Sequence, residues 1–196
     1  MIEGRTVELP HYDFQTGSRR PGPAVKLGAD NIVIVEGIHG LNPELVRGLP
    51  SGAVYRVYVS ALTQLNLDRH NRLNTTDCRL IRRIVRDAST RGYSANDTLR
   101  RWNSVVGGEK KYIFPFQENC DAIFNSALVH ELAVLRPMAD PLLLQVSPDS
   151  PQYLESNRLL SLLRWFRAAP CDCVPSNSIL REFIGGSILE SFRLWP

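Results

Sequence analysis

Apolar and polar positions along the chain fall into short apolar runs separated by turn-rich stretches, with one long charge-striped segment in the middle. Thr6-Val-Glu-Leu9 alternates with a strand's period and stops at Pro10, which predicts a strand end. Residues 11–29 hold Gly17, Pro21, Gly22, Pro23 and Gly28 and predict a loop. Asn31-Ile-Val-Ile-Val35 is a continuous β-branched run bounded by Asp30 and Glu36-Gly37, the pattern of a strand buried on both faces of a parallel sheet. Asn42-Pro43 opens a short helix through Val46, and Val54-Tyr-Arg-Val-Tyr-Val59 predicts the next strand. From Asp77 to Arg91, Leu80, Ile81, Ile84, Val85 and Ala88 recur at three- and four-residue spacing, and Gly92 stands where a capping glycine belongs. Further helices are predicted over 94–105, 127–135 and 151–166, with a strand at Asp121-Ala-Ile-Phe124 between them. Beyond Pro137 the pattern weakens. Strands alternating with helices imply an α/β layered fold with a mostly parallel sheet.

Composition narrows the class. The 196 residues are 43% hydrophobic and 22% charged, which is globular and argues against disorder. Glu131, Arg136, Arg158 and Arg164 interrupt every stretch that could approach a membrane span, and the first residues have no apolar leader segment. A soluble, cytoplasmic protein is expected. Cys78, Cys120, Cys171 and Cys173 form no CxxC pair and are read as reduced thiols; the four histidines show no metal-type spacing.

The net charge of +3 conceals an asymmetry. Asn66–Lys111 holds eleven basic against five acidic residues, a net +6, so the remainder carries −3. Such a segment suits a polyanionic partner, phosphates or nucleic acid, or else a solvated helix face. Arg79, Arg82, Arg83 and Arg86 recur at helical spacing and are expected to share the face opposite the apolar stripe. Guanidinium forks match phosphate geometry and stay charged. With Arg91 at the helix end, the pattern suits a lid closing over a triphosphate; a nucleic-acid-binding helix is the competing interpretation. Glu36 ends a predicted strand, where ligands collect in open α/β sheets, and could hold a metal ion against phosphate oxygens or simply cap a turn. Tyr12 and Phe14 could pack a flat base or plug the core. No GxxxxGK[ST] motif occurs anywhere, so the backbone cradle for ATP phosphates is missing.

Several motifs in order, Pro10-His-Tyr-Asp-Phe14, Val35-Glu-Gly-Ile-His39, Arg79-Leu-Ile-Arg-Arg-Ile-Val-Arg-Asp87 and Thr90-Arg91-Gly92, resemble the uridine kinase and phosphoribulokinase branch of the P-loop kinases. Ile113–Glu118, Asp121–Ala127 and Asn177–Ser187 resemble a narrower group, bacterial-type nucleoside kinases whose N-terminal regions are similar to part of threonyl-tRNA synthetase. The resemblance implies a three-layer P-loop-kinase-like fold and transfer of the ATP γ-phosphoryl group to a nucleoside with Mg²⁺. It places Tyr12 and Phe14 at the base, Glu36 at Mg²⁺, and Arg83, Arg86 and Arg91 in the lid, on phosphates or the phosphoacceptor. Two positions depart from the pattern: a base-reading His falls at Gly17 and a Gln at Arg101. Residues 1–145 correspond to the C-terminal portion of such a kinase domain, N-terminally truncated, with the lid at about 68–112; residues 146–196 read as a helical C-terminal extension. The expected partners are a nucleoside and ATP, without membrane and with nucleic acid disfavoured, and self-association is left open. As this chain stands, little or no catalysis is expected, the alternative being a non-catalytic nucleotide- or RNA-binding remnant of such a kinase.

Overall fold

The structure, a computed structural model, describes residues 1, 3–13, 16–50 and 52–191. The chain divides into two units, Met1–Gly37 and Ile38–Pro196.

The first unit is built on a hairpin. Strand β1 (Val7–Asp13) pairs antiparallel with β2 (Ser18–Val25), so the strand predicted to stop at Pro10 runs on, and part of the predicted loop is its partner. Prolines are tolerated because each strand of a two-stranded ribbon has an edge where a missing N–H leaves no ladder bond unmade. The register shifts between Glu8 and Pro10, and there Gly22 approaches so closely that a Cβ would sit 2.1 Å from the Leu9 carbonyl oxygen. The turn is fixed by Asp13, whose carboxylate accepts from Thr16 N–H at 3.1 Å and whose carbonyl accepts from Gly17 N–H at 2.8 Å. Asn31–Val35 is not a strand. It has no pairing partner among the described residues, and without a ladder its side chains stand in solvent, with Ile32 88% and Ile34 84% exposed.

The second unit has the α/β character expected. Strands β3 (Val57–Ser60) and β4 (Ala122–Asn125) pair in parallel, Val57 opposite Ala122 and Ser60 opposite Asn125. The long connection between them carries helices α1 (Thr75–Arg86) and α2 (Ala95–Tyr112). Helices α3 (Glu131–Leu144), α4 (Tyr153–Leu163) and the short α5 (Arg181–Ile184) follow. Helix α1 packs against α2, α3 and α5, and α3 packs against α4. The core is the apolar stripe of α1 (Leu80, Ile81, Ile84) against Leu132, Leu135 and Leu143 of α3, extended by Leu159 and Leu163 of α4 and by Leu180. Burying each such side chain contributes about 1.5–3 kcal/mol.

Local signals explain the helix limits. Asn74 caps α1 by accepting from Thr76 N–H at 2.9 Å, and Ser94 caps α2 by accepting from Asp97 N–H at 3.1 Å. Asn42 does the same for the single turn Pro43–Val46, accepting from Glu44 N–H at 3.0 Å. Helix α3 continues through Pro137 and Pro141, past the point where the sequence pattern weakens. Both prolines are on its exposed side, while Ala139 and Leu143 remain buried. Pro137 leaves the Ala133 carbonyl without its helical donor, and Ala169 N–H supplies one at 2.9 Å.

Candidate functional site

The arginines lie where α1 changes its winding. After Arg86 the helix widens into a π-helical turn, Asp87–Arg91, and ends at Gly92 in the left-handed conformation (φ 68°). Such turns occur frequently at functional sites. Asp87 is fully buried at the centre. Its Oδ2 accepts from Arg83 Nε at 3.2 Å and from Thr98 Oγ1 at 3.2 Å, and its Oδ1 accepts from Arg91 Nη1 at 2.9 Å. One carboxylate thus orients two guanidiniums, one a turn before it and one a turn after. Arg86 is held differently. Its Nη1 donates to Glu182 Oε1 of α5 at 2.8 Å, and its Nε is buried without a hydrogen-bond partner among the described residues.

The expected four-arginine solvent face does not form. Arg82 sits at the border of the apolar stripe and is buried: its Nε donates to Glu131 Oε2 at 2.6 Å and its Nη2 to the Ser126 carbonyl at 2.6 Å. Arg79 is bidentate to the buried Glu109 of α2, with Nη1 to Oε2 at 2.7 Å. Mutual repulsion on one helix face is thereby relieved by acids from α2, α3 and α5. Arg83, Arg86 and Arg91 keep a quarter to a third of their side chains in solvent, with side-chain exposures of 24%, 30% and 26%.

A second feature is a cavity of about 230 Å³ at the carboxyl ends of β3 and β4. Thr63 and Leu65 from the β3 side and Asn125, Leu128 and Glu131 from the β4 side line it. Asn125 bridges the two strand exits, accepting from Leu62 N–H at 2.9 Å and donating to the Leu62 carbonyl at 3.0 Å. Glu131 carries its second oxygen, Oε1, buried and without a hydrogen-bond partner among the described residues. Burial pushes this carboxyl above the usual range, and the Arg82 guanidinium opposes that rise. The neighbouring Cys78 thiol, also buried, is pushed up to about 12.

Arg83 and Arg91 therefore meet on Asp87 at the C-terminal end of α1, while Arg86, on the same helical stretch, is held by Glu182 instead. Tyr12 and Glu36 belong to the first unit: Tyr12 lies on β1 opposite Arg19 and is half-exposed, and Glu36 is exposed after the unpaired run. Phe14 lies outside the described residues. Asp87, Glu131 and Glu182 were not singled out from sequence. Asp87 carried a signal, its four-residue spacing to both Arg83 and Arg91; the other two acids carried none.

Residues 1–133 match the Phosphoribulokinase / Uridine kinase family. The chain belongs to this family. Among individual relatives, it is 27% identical over 124 residues to a uridine kinase of Brevibacillus brevis, covering 63% of this chain and 50% of that protein. It is 27% identical over 135 residues to a uridine kinase of Bacillus pumilus, covering 68% and 56%. A uridine kinase of Saccharomyces cerevisiae is 26% identical over 133 residues, 67% of this chain and 23% of its own. The chain thus spans about half the length of the bacterial relatives it matches. No solved structure matches it. The α1 arginines and both β3 and β4 fall inside the family match, whereas α4 and α5 lie beyond it. No helix among the described residues is long and apolar enough to cross a membrane.

Proposed function

We propose that this chain is the acceptor-and-lid portion of an ATP-dependent nucleoside kinase, and that Arg83, Arg86 and Arg91 contact the transferred phosphates. The observation that carries the reading is the Arg83–Asp87–Arg91 arrangement, in which two partly exposed guanidiniums are oriented by one buried carboxylate at a π-helical turn. Phosphoryl transfer needs little covalent chemistry from a protein. Its rate comes from positioning and from cations placed where charge develops on the phosphoryl oxygens. Guanidiniums held in advance by Asp87 meet that need without reorganising during the reaction.

In this reading residues 1–145 are the kinase portion and 146–196 a helical extension, within the narrower nucleoside-kinase group that the motifs resemble. Tyr12 and Phe14 receive the acceptor's base. The cavity at the ends of β3 and β4 takes the flat end of a nucleotide. Among the described residues no group of three metal-binding side chains occurs, so a protein-only metal cage is absent there. A lone exposed carboxylate such as Glu36 fits a Mg²⁺ whose remaining ligands are water and nucleotide oxygens, and Mg²⁺ so bound neutralises phosphate charge.

The sequence holds no GxxxxGK[ST] motif, so slow or no turnover is expected from these 196 residues alone. Binding is therefore the first test. Calorimetric titration of ATP and of several nucleosides should show saturable binding of both classes, with the ATP affinity falling about ten-fold or more in Arg83→Ala and Arg91→Ala. Salt-steep RNA binding without nucleoside or nucleotide binding would replace this reading with the RNA-binding remnant.

A further inference from the structure

The three arginines differ in how they are restrained, and the difference assigns a role to the C-terminal segment. Asp87 is 1% exposed, belongs to the same helical stretch as Arg83 and Arg91, and is itself fixed by Thr98. The partner of Arg86 is of another kind. Glu182 has a side chain 57% exposed, stands 96 residues away in sequence, and sits on a helix of four residues. We propose that Glu182 is a releasable latch: it occupies Arg86 in the resting protein, and a polyphosphate bound at the arginine cluster displaces it, so that anion binding and the Glu182–Arg86 contact exclude each other. This inference rests on the reading of Arg83, Arg86 and Arg91 as phosphate ligands.

The physical argument compares two anions for one cation. An exposed ion pair with a single carboxylate is among the weakest contacts in a folded protein, because water and salt screen it. A polyphosphate brings several charges and many acceptor oxygens to guanidiniums carried on one helical stretch, and charge-assisted bonds of that kind are stronger. Arg83 and Arg91 share a buried carboxylate that Thr98 fixes, whereas Arg86 meets an exposed one. Arg86 cannot present its Nη1 to phosphate while Glu182 holds it, and its buried Nε has no other acceptor among the described residues.

The segment stays anchored on either side of Glu182, whose own side chain is exposed. Leu180 is fully buried and Phe183 is buried, its ring 5.4 Å from the Arg82 guanidinium carbon. Arg181 ties the helix to the preceding loop, donating to the carbonyls of Val174, Cys171 (3.2 Å) and Pro175 (3.4 Å), and to Gly185 (3.2 Å) beyond it. After α5 come two consecutive left-handed residues, Gly185 (φ 79°) and Gly186 (φ 72°), which give the backbone freedom to turn. Release of Glu182 needs a side-chain rotation and loosening of the exposed turn that follows, and the core anchors stay in place.

The test uses inorganic tripolyphosphate on the full chain at matched ionic strength, with wild type, Glu182→Gln and Arg86→Ala compared by calorimetry and by hydrogen exchange over residues 181–190. The latch predicts that Glu182→Gln binds tripolyphosphate about two- to five-fold tighter than wild type. It also predicts that the anion raises exchange over 181–190 in wild type and leaves the already faster exchange of Arg86→Ala unchanged. Equal affinity of wild type and Glu182→Gln, with exchange unmoved by bound anion, overturns the latch and leaves the phosphate-ligand reading standing. No tripolyphosphate binding by either protein removes both.

Discussion

Arg82 of α1 donates through Nε to Glu131 Oε2 of α3 at 2.6 Å, both residues being buried, and the same guanidinium holds the Ser126 carbonyl at the end of β4. One side chain thus joins the helix that carries the phosphate-binding candidates to the sheet and to the next helix. Removing either partner strands the other charge in the core. Arg82→Ala and Glu131→Ala are each expected to lower the unfolding free energy by about 3–5 kcal/mol, whereas an apolar pair of matched volume at the two positions restores much of the loss. Urea unfolding of the two single variants and the double variant checks this; single variants within 1 kcal/mol of wild type would show that the pair is dispensable.

Asp87 gives a second prediction, with a distinct salt signature. Asp87→Ala leaves the buried Thr98 hydroxyl without its acceptor and sets Arg83 and Arg91 against each other, for an expected cost of about 1–3 kcal/mol. Because the repelling guanidiniums are partly solvated, raising the salt concentration should recover part of that loss in the variant and much less in wild type. Thermal unfolding across a sodium chloride series gives the comparison. A salt-independent difference would mean that lost packing, not charge, dominates.

What could be read in the sequence divides by range. Helix α1 was legible because Leu80, Ile81, Ile84 and Val85 repeat within a few residues, and Gly92 marks its end. The α/β class followed from strands and helices alternating. Partners that meet across the fold were not legible: Glu109 reaches Arg79 over 30 residues, Glu131 reaches Arg82 over 49, and Glu182 reaches Arg86 over 96. Periodicity showed where arginines point along one helix, and tertiary packing decided which of them water would see. Ile32–Val35 marks the opposite error. Its composition suits a buried strand, but composition holds no information about whether a neighbouring strand exists to pair with it.

Pro137 offers a test of how α3 tolerates a residue that usually breaks helices. An interior proline ordinarily costs about 3 kcal/mol, part of it from the unmade bond to the carbonyl four residues back. Here that carbonyl, on Ala133, accepts from Ala169 N–H at 2.9 Å, so the bond is replaced rather than lost. Pro137→Ala is accordingly expected to stabilise the protein by about 1 kcal/mol or less, well short of the usual figure, because a restored N–H finds its acceptor already engaged. A gain near 3 kcal/mol in urea unfolding would show that the Ala169 contact offsets nothing.

Cys78 fixes the sign of one alkaline effect. Its thiol is fully buried and pushed up to about 12 from 9.0, with desolvation the leading cause, so the native state keeps a proton that the unfolded chain gives up. A group whose folded value is raised contributes stability that is complete below its unfolded value and is lost as pH climbs toward the folded one. Above pH 9.0 the unfolding free energy should therefore fall with a component approaching about 1.4 kcal/mol per pH unit from this thiol alone. Comparison with Cys78→Ala isolates this thiol's share of any alkaline loss. That variant is expected to be less stable at pH 8 because of the space it opens, yet its stability should decline less steeply between pH 9 and 10.5, measured by urea unfolding in the presence of reductant. Parallel curves for the two proteins would show that Cys78 ionises as readily in the folded chain as in the unfolded one.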